Sequence, residues 1–213
     1  TSQPEPFILA FDPGIQNMGV AALGMYSGKV FLFQKRLSKD KIKKNWFFMS
    51  VVQMLEELDV ETGGFVRNAS LIAVEEAWAG KGADGVASDM FSIVNSLGAY
   101  FYTLRGTVPT RNYNSVAPGT IKRFYGIDKR TRAARKREVV AVAKALLEAT
   151  DNANVAATLK DAKSDDSCDA LLIAYYFMAN SDPTQTKKMT ELARKIKGTK
   201  NGATNFVKAI PRK

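Results

Sequence analysis

No histidine occurs among the 213 residues of this chain. That absence removes Ser-His and Cys-His nucleophile pairs, His-ligated zinc sites and nucleases whose general base is an imidazole. Acid–base or metal chemistry must fall to carboxylates, lysines or water. The chain has one cysteine, Cys168, which excludes an internal disulfide framework. A reducing intracellular compartment is therefore expected, with mitochondrial, nuclear and viral-factory or cytoplasmic settings equally open. Long apolar runs are missing too. The longest unbroken one, 170–179, falls well short of a bilayer span, so no membrane partner is expected. The opening TSQPEP is polar and does not read as a signal peptide. No Walker-type phosphate loop and no internal repeat are present.

What the chain does have is positive charge, unevenly spread. The net charge is +10, on a composition of 46% hydrophobic and 24% charged residues that suits one well-buried globular core. Residues 1–117 balance at 11 basic and 11 acidic side chains, whereas 118–148 hold 9 basic and 3 acidic. Residues 149–186 hold 2 basic and 6 acidic, and 187–213 hold 9 and 1. Two basic blocks thus bracket an acidic one, as expected where an anionic polymer is held on either side of a metal site. A solubilising surface with a disordered tail is the blander reading, and the bracketing favours nucleic acid over it.

Hydrophobic patterning orders the elements. Residues 7–12 (FILAFD) read as a buried strand ending in an acid, 19–25 as a second strand and 30–33 as a third. Turns at Pro13-Gly14 and Ser27-Gly28 make these an antiparallel meander. A basic linker, 35–44, leads to an amphipathic helix over 46–58; a short apolar strand follows at 71–74 and a flexible loop at 80–85. Next come a helix over 88–104, a strand over 108–113, a short helix from Pro118 and a longer one over 131–149. A polar loop over 150–163 and a helix over 166–178 complete the pattern. This order predicts an α/β domain, a mixed sheet flanked by helices, over 1–182, with a basic C-terminal helix and tail over 183–213.

Four acidic residues sit where a carboxylate is costly: Asp12 and Glu75 at the ends of apolar strands, Asp166 and Asp169 at the head of an apolar helix. Nothing adjacent in sequence neutralises Asp12 or Glu75, and carboxylates gathered at such positions need cations. The Asp-x-Gly of 12–14 puts a carboxylate on a tight turn whose glycine permits close approach of a ligand. Actin-like and sugar-kinase phosphate hairpins begin similarly, but they need a second phosphate loop and usually a longer chain. Glu75 and Glu76 are neighbours on a strand and point to opposite sides, so only one enters a common site. Asp166 and Asp169 share a helix face, as do Asp165 and Asp169, and spacing leaves that choice open. The macrodipole at the helix start favours negative charge there, which equally suits a plain capping role. An all-oxygen donor set suits Mg²⁺ or Mn²⁺ and not zinc or copper.

Taken in this order, the segments resemble the RuvC-type Holliday junction resolvases of the RNase H-like superfamily, over roughly residues 7–178. FDPGIQNMGVA is similar to the family's first-strand motif, and its Asp-x-Gly-x-x-Asn form (Asp12, Gly14, Asn17) is close to the mitochondrial and poxviral branch. LIAVEEAW is similar to the second motif, with Glu75 at the catalytic position and Trp78 where an aromatic lies near the junction. DDSCDALLIAYYF resembles the closing helix and selects Asp166 and Asp169 over Asp165. APGTIKRFYGIDKRTRAARKREVV resembles the family's basic stretch, with Lys122 and Lys136 where lysines approach the scissile phosphate. The basic tail has no counterpart in the bacterial resolvases, and the 150–163 loop is longer than theirs.

The resemblance implies an RNase H-like five-stranded sheet and two Mg²⁺ ions per site, with Mn²⁺ substituting, held by Asp12, Glu75, Asp166 and Asp169. It implies hydrolysis of four-way junction DNA to 5′-phosphate and 3′-hydroxyl ends, with Lys136 stabilising charge on the scissile phosphate. A two-fold symmetric junction needs two nicks, so one site per chain points to a homodimer. The helix over 88–104 offers Phe91, Val94, Leu97, Tyr100 and Phe101 either to that interface or to the chain's own core. DNA-binding candidates are Trp78, Lys81, Lys122, Arg123, Lys129, Arg130, Arg132, Arg135 and Arg137. The six basic residues within 129–137 cannot all face one way on a helix, so three or four of them meet phosphates. Trp78 either stacks on an unpaired base or fills the core, two readings of equal weight. Phe124 and Tyr125 read as packing residues. Competing functions are an RNase H-like nuclease on other branched DNA or RNA–DNA substrates and a non-catalytic nucleic-acid-binding relative. The acidic quartet argues against the latter.

Overall fold

The computed structural model describes residues 5–15, 17–37, 46–77, 84–105, 113–117, 119–127, 131–159 and 165–181. Strand β1 (Phe7–Asp12) is buried at every position but its last, the pattern of a strand covered on both faces. It accordingly lies at the centre of a five-stranded sheet of order β3-β2-β1-β4-β5. The partners are β2 (Asn17–Gly24), β3 (Val30–Arg36), β4 (Ala69–Glu75) and β5 (Tyr113–Val116). β1, β2 and β3 form the antiparallel meander, while β4 and β5 run parallel to β1. The mixed α/β sheet expected from the sequence is present.

Strand alternation divides the apolar residues between two cores. Leu9, Phe11, Val20, Ala22 and Val74 face α1 (Trp46–Glu61) and α2 (Asp84–Ala99), where they meet Val51, Leu55, Leu58, Ile93 and Leu97. Ile8, Ala10, Ala21, Leu23 and Ala73 face the other way. Over them lie α3 (Thr120–Phe124), α4 (Arg132–Ala149), α5 (Ala153–Thr158) and α6 (Asp165–Ser181). Each fully buried Leu, Ile or Val on these faces contributes about 1.5–3 kcal/mol of transfer free energy, so the layers are held chiefly by the sheet's two surfaces.

Several boundaries differ from the sequence expectation. β3 runs through Arg36, because Lys35 and Arg36 still pair with β2. Lys35 is then not linker: it forms an ion pair with Glu61 of α1. β5 continues past Tyr113, where the expected strand stopped, and residues 106–112 lie outside the described residues. The polar stretch after α4 contains α5, too short for periodicity to reveal. Asn152 anchors it by accepting from the Val30 amide at 3.0 Å and donating to the Gly28 carbonyl at 3.0 Å. Of the proposed interface face, Leu97, Tyr100 and Phe101 are buried within the chain, whereas Phe91 is exposed. The α2 axis continues as a π-helical turn, Tyr100–Arg105. Tyr125 packs as expected, its hydroxyl donating to the Leu172 carbonyl. The tail over 183–213 lies outside the described residues, among which no helix is long and apolar enough to cross a membrane.

Candidate active site

Strand periodicity decides which way each acid faces. On β1, Ile8 and Ala10 lie in the core beneath α4 and α6, so Asp12 faces that side. On β4, Leu71 and Ala73 face it as well, hence Glu75 does and Glu76 does not. The parallel register pairs Phe11 with Val74, and one residue further Asp12 and Glu75 share a hydrogen bond. Glu76 is taken up elsewhere. Its amide donates to the Val116 carbonyl at 2.9 Å, and its carboxylate accepts from the Ser115 hydroxyl at 2.6 Å.

Asp166 and Asp169 arrive with the first turns of α6, which crosses β2 at Gly19. A Cβ on Gly19 would sit 2.0 Å from the Asp166 carbonyl oxygen and 2.3 Å from its carbonyl carbon. Glycine is therefore what admits the helix. Gly19 is also the cross-strand partner of Asp12, so this seat brings the two helix acids over the strand acid. Asp165 begins α6, but its side chain lies outside what is described.

The opposite wall is cationic. Asp12, Asp166 and Asp169 line a cavity of about 310 Å³ together with Lys122 of α3 and Arg132, Arg135, Lys136 and Val139 of α4. Those α4 positions are spaced i, i+3, i+4, i+7, one helical face. Thr131 caps that helix by accepting from the Ala134 amide. Basic side chains in the first turns run against the helix macrodipole, a local conflict that an anionic ligand would relieve.

Electrostatics join the two walls. Burial, then the charge of Asp169 and the charge and hydrogen bond of Glu75, hold the Asp12 carboxyl well above its ordinary range, with Lys122 opposing. For Lys122, burial pulls its pKa down but the charges of Asp169, Glu75 and Asp12 prevail and raise it, against Arg135. Lys122 Nζ stands 3.6 Å from Asp169 Oδ1. The carboxylate cluster offers only oxygen donors, the set that suits a hard divalent cation. Among the described residues no three carboxylates close into a ready-made ligand cage.

The structure thus gathers Asp12, Glu75, Asp166, Asp169, Lys122, Arg132, Arg135 and Lys136. Arg123 and Arg137 are exposed and do not line the cavity; Arg123 donates to Thr120 of its own helix at 3.3 Å. Trp78, Lys81, Lys129 and Arg130 lie outside the described residues. Sequence reasoning missed Gly19, although a glycine inside a strand signals close backbone approach. It also missed Gln34, whose Nε2 donates to Asp166 Oδ2 at 3.0 Å; a polar residue following Val30 and Leu32 on the inward face of β3 was the available signal.

No family model matches the chain, and no curated protein sequence does. Solved structures do. The yeast mitochondrial Holliday junction resolvase Ydc2 matches at 15% identity and a TM-score of 0.57, over 91% of this chain and 86% of that one. RuvC of Thermus thermophilus in complex with a Holliday junction substrate matches at 16% identity and 0.50, over 82% and 95%. A further structure of Thermus thermophilus RuvC matches at 18% identity and 0.50, over the same 82% and 95%. At these identities the likeness establishes the fold: this chain has the RuvC-like form of the RNase H architecture.

Proposed function

We propose that this RuvC-like fold belongs to a metal-dependent DNA endonuclease that resolves four-way junctions by paired symmetric nicks. One observation carries the reading: a single cavity sets the acids of the sheet and α6 against the cations of α3 and α4. Acids alone would repel a phosphodiester and cations alone would only bind it. A junction-bound RuvC with the same fold supports the substrate class.

Asp12, Glu75, Asp166 and Asp169 would hold Mg²⁺, or Mn²⁺ in its place, two ions per site. Mg²⁺ uses few protein carboxylates and completes its shell with water and substrate phosphate, which suits a cluster open to its cavity. When bound, the ions supply the charge that activates water and stabilises the departing 3′ oxygen. The chain's own residues do the rest. Lys136 and Lys122 neutralise charge developing on the scissile phosphate. Arg132 and Arg135 grip flanking phosphates and fix the strand's register without reading its bases. Water attacks in line, leaving a 5′ phosphate and a 3′ hydroxyl. Two-fold junction symmetry calls for two such chains acting as a homodimer.

With Mg²⁺ or Mn²⁺, a synthetic four-way junction is expected to be nicked at symmetric positions while duplex of equal length stays largely uncut. Denaturing gels of end-labelled strands read this directly. Preferential cutting of duplex or of RNA–DNA hybrid would overturn the junction assignment, and junction binding without cutting at any metal concentration would overturn the catalytic one. A second expected result separates the adjacent glutamates. Glu75→Gln drops nicking by on the order of 10²-fold or more, since several kcal/mol rest on the metal site. Glu76→Gln keeps its acceptor for Ser115 and leaves the rate close to that of the unaltered chain. Single-turnover kinetics on both variants decide it.

A further inference from the structure

We infer that Gln34 is a positioning residue that sets the orientation of the Asp166 carboxylate for metal binding. The inference rests on the nuclease reading above and concerns a residue that the sequence motifs do not include. On β3, Val30 and Leu32 pack into the core beneath α5 and α6, and the next inward position is Gln34. It stands opposite Gly19 of β2, and Gly19 stands opposite Asp12 of β1. Asp12, Gly19 and Gln34 therefore form one row across three strands. Asp166 is held by two members of that row: its main chain lies against Gly19, and its Oδ2 accepts the Gln34 amide at 3.0 Å.

The chemistry of the donor matters as much as its place. A neutral amide can fix the plane of a carboxylate while leaving its charge for a cation. A lysine at the same position would orient the group and cancel that charge together. Outer partners of this type commonly change metal affinity by about 10- to 100-fold when removed. Because Gln34 is exposed, its hydrogen bond adds little to folding stability, so the two effects can be measured apart.

The test compares the full chain with Gln34→Met, which keeps side-chain length and removes the donor. Binding of Mn²⁺ without DNA, followed by electron paramagnetic resonance of the free ion, is expected to weaken about 10-fold. The Mn²⁺ concentration for half-maximal nicking rises by the same factor, while the rate at saturating Mn²⁺, the metal-free melting temperature and metal-free junction binding stay unchanged. Equal Mn²⁺ affinity in the two proteins overturns the inference. A weaker affinity accompanied by a lowered melting temperature also overturns it, since the role would then be structural. If the unaltered chain neither binds Mn²⁺ nor cuts junctions, the nuclease reading falls and this inference with it. If the unaltered chain does both and Gln34→Met matches it, this inference alone falls.

Discussion

Asp12→Asn is expected to abolish nicking, by on the order of 10³-fold, while making the metal-free protein more resistant to heat. On the proposed mechanism, the loss follows from removing the central strand acid from a site where metal charge would supply several kcal/mol. The gain follows from the same carboxyl's surroundings: it is buried beside Asp169 and Glu75, and Lys122 offsets them only in part. Because the folded protein holds this proton more tightly than the unfolded chain, Asp12 favours folding below the ordinary aspartate range. That contribution is lost as the pH rises through its elevated folded value. Melting curves of metal-free protein should thus decline with rising pH over that window, and Asp12→Asn should flatten the decline. Added Mg²⁺ should stabilise the unaltered chain more than the variant. Junction affinity without metal should be retained in both, because the α4 cations are untouched. A variant that cuts normally, or melts lower across the whole pH range, would remove Asp12 from the centre of the site.

Gly19→Ala is expected to be the most damaging single-methyl change on the sheet. The added Cβ would overlap backbone atoms of Asp166 and come within 2.9 Å of the Ser167 amide nitrogen, and backbone cannot swing aside as a side-chain tip can. Relief requires α6 to shift, which loosens the packing of Leu171, Leu172 and Ala174 at a cost of about 1–3 kcal/mol. A displacement of even about 1 Å at a catalytic centre lowers rates by about 10²-fold, so nicking should fall far more than stability does. Gly24→Ala, on the same strand, is the control. The atoms nearest its Cβ would be side-chain oxygens of Ser27 and Glu5, which do not line the cavity, so it should cost stability and leave the rate per folded molecule intact. Urea melts and single-turnover nicking on both variants make the comparison. Equal loss of rate in the two would mean that Gly19 does not seat the helix.

Much of this was legible in the chain because the carboxylates terminate apolar segments. FILAFD and LIAVE each announce a buried strand and its final acid, and the alternation within them gives the facing of Asp12 and Glu75 once one core residue is known. The i, i+3, i+4, i+7 spacing of Arg132, Arg135, Lys136 and Val139 likewise contains the cationic face, although the run of basic residues conceals where that face begins. What could not be read depends on partners distant in sequence. Gly19 is explained only by Asp166, and Gln34 only by Gly19 and Asp166 together. The extent of β5 beyond Tyr113 was hidden for another reason: Tyr113–Val116 is short and half polar, and it is a strand because β4 offers it a parallel ladder. Ala153–Thr158 is helical because Ala156 and Leu159 find the core, not because six residues carry a period.

The docking of α6 over Gly19 also has a consequence in time. Synthesis delivers Asp12 and Glu75 first, the cationic wall of α4 next, and Asp166 and Asp169 only near the end of the described fold. A ribosome-bound chain therefore carries its cationic wall before it possesses a complete set of acids. On the nuclease reading, a growing chain would be unable to cut until α6 is made, because the helix that completes the site is also the one that covers this face of the sheet.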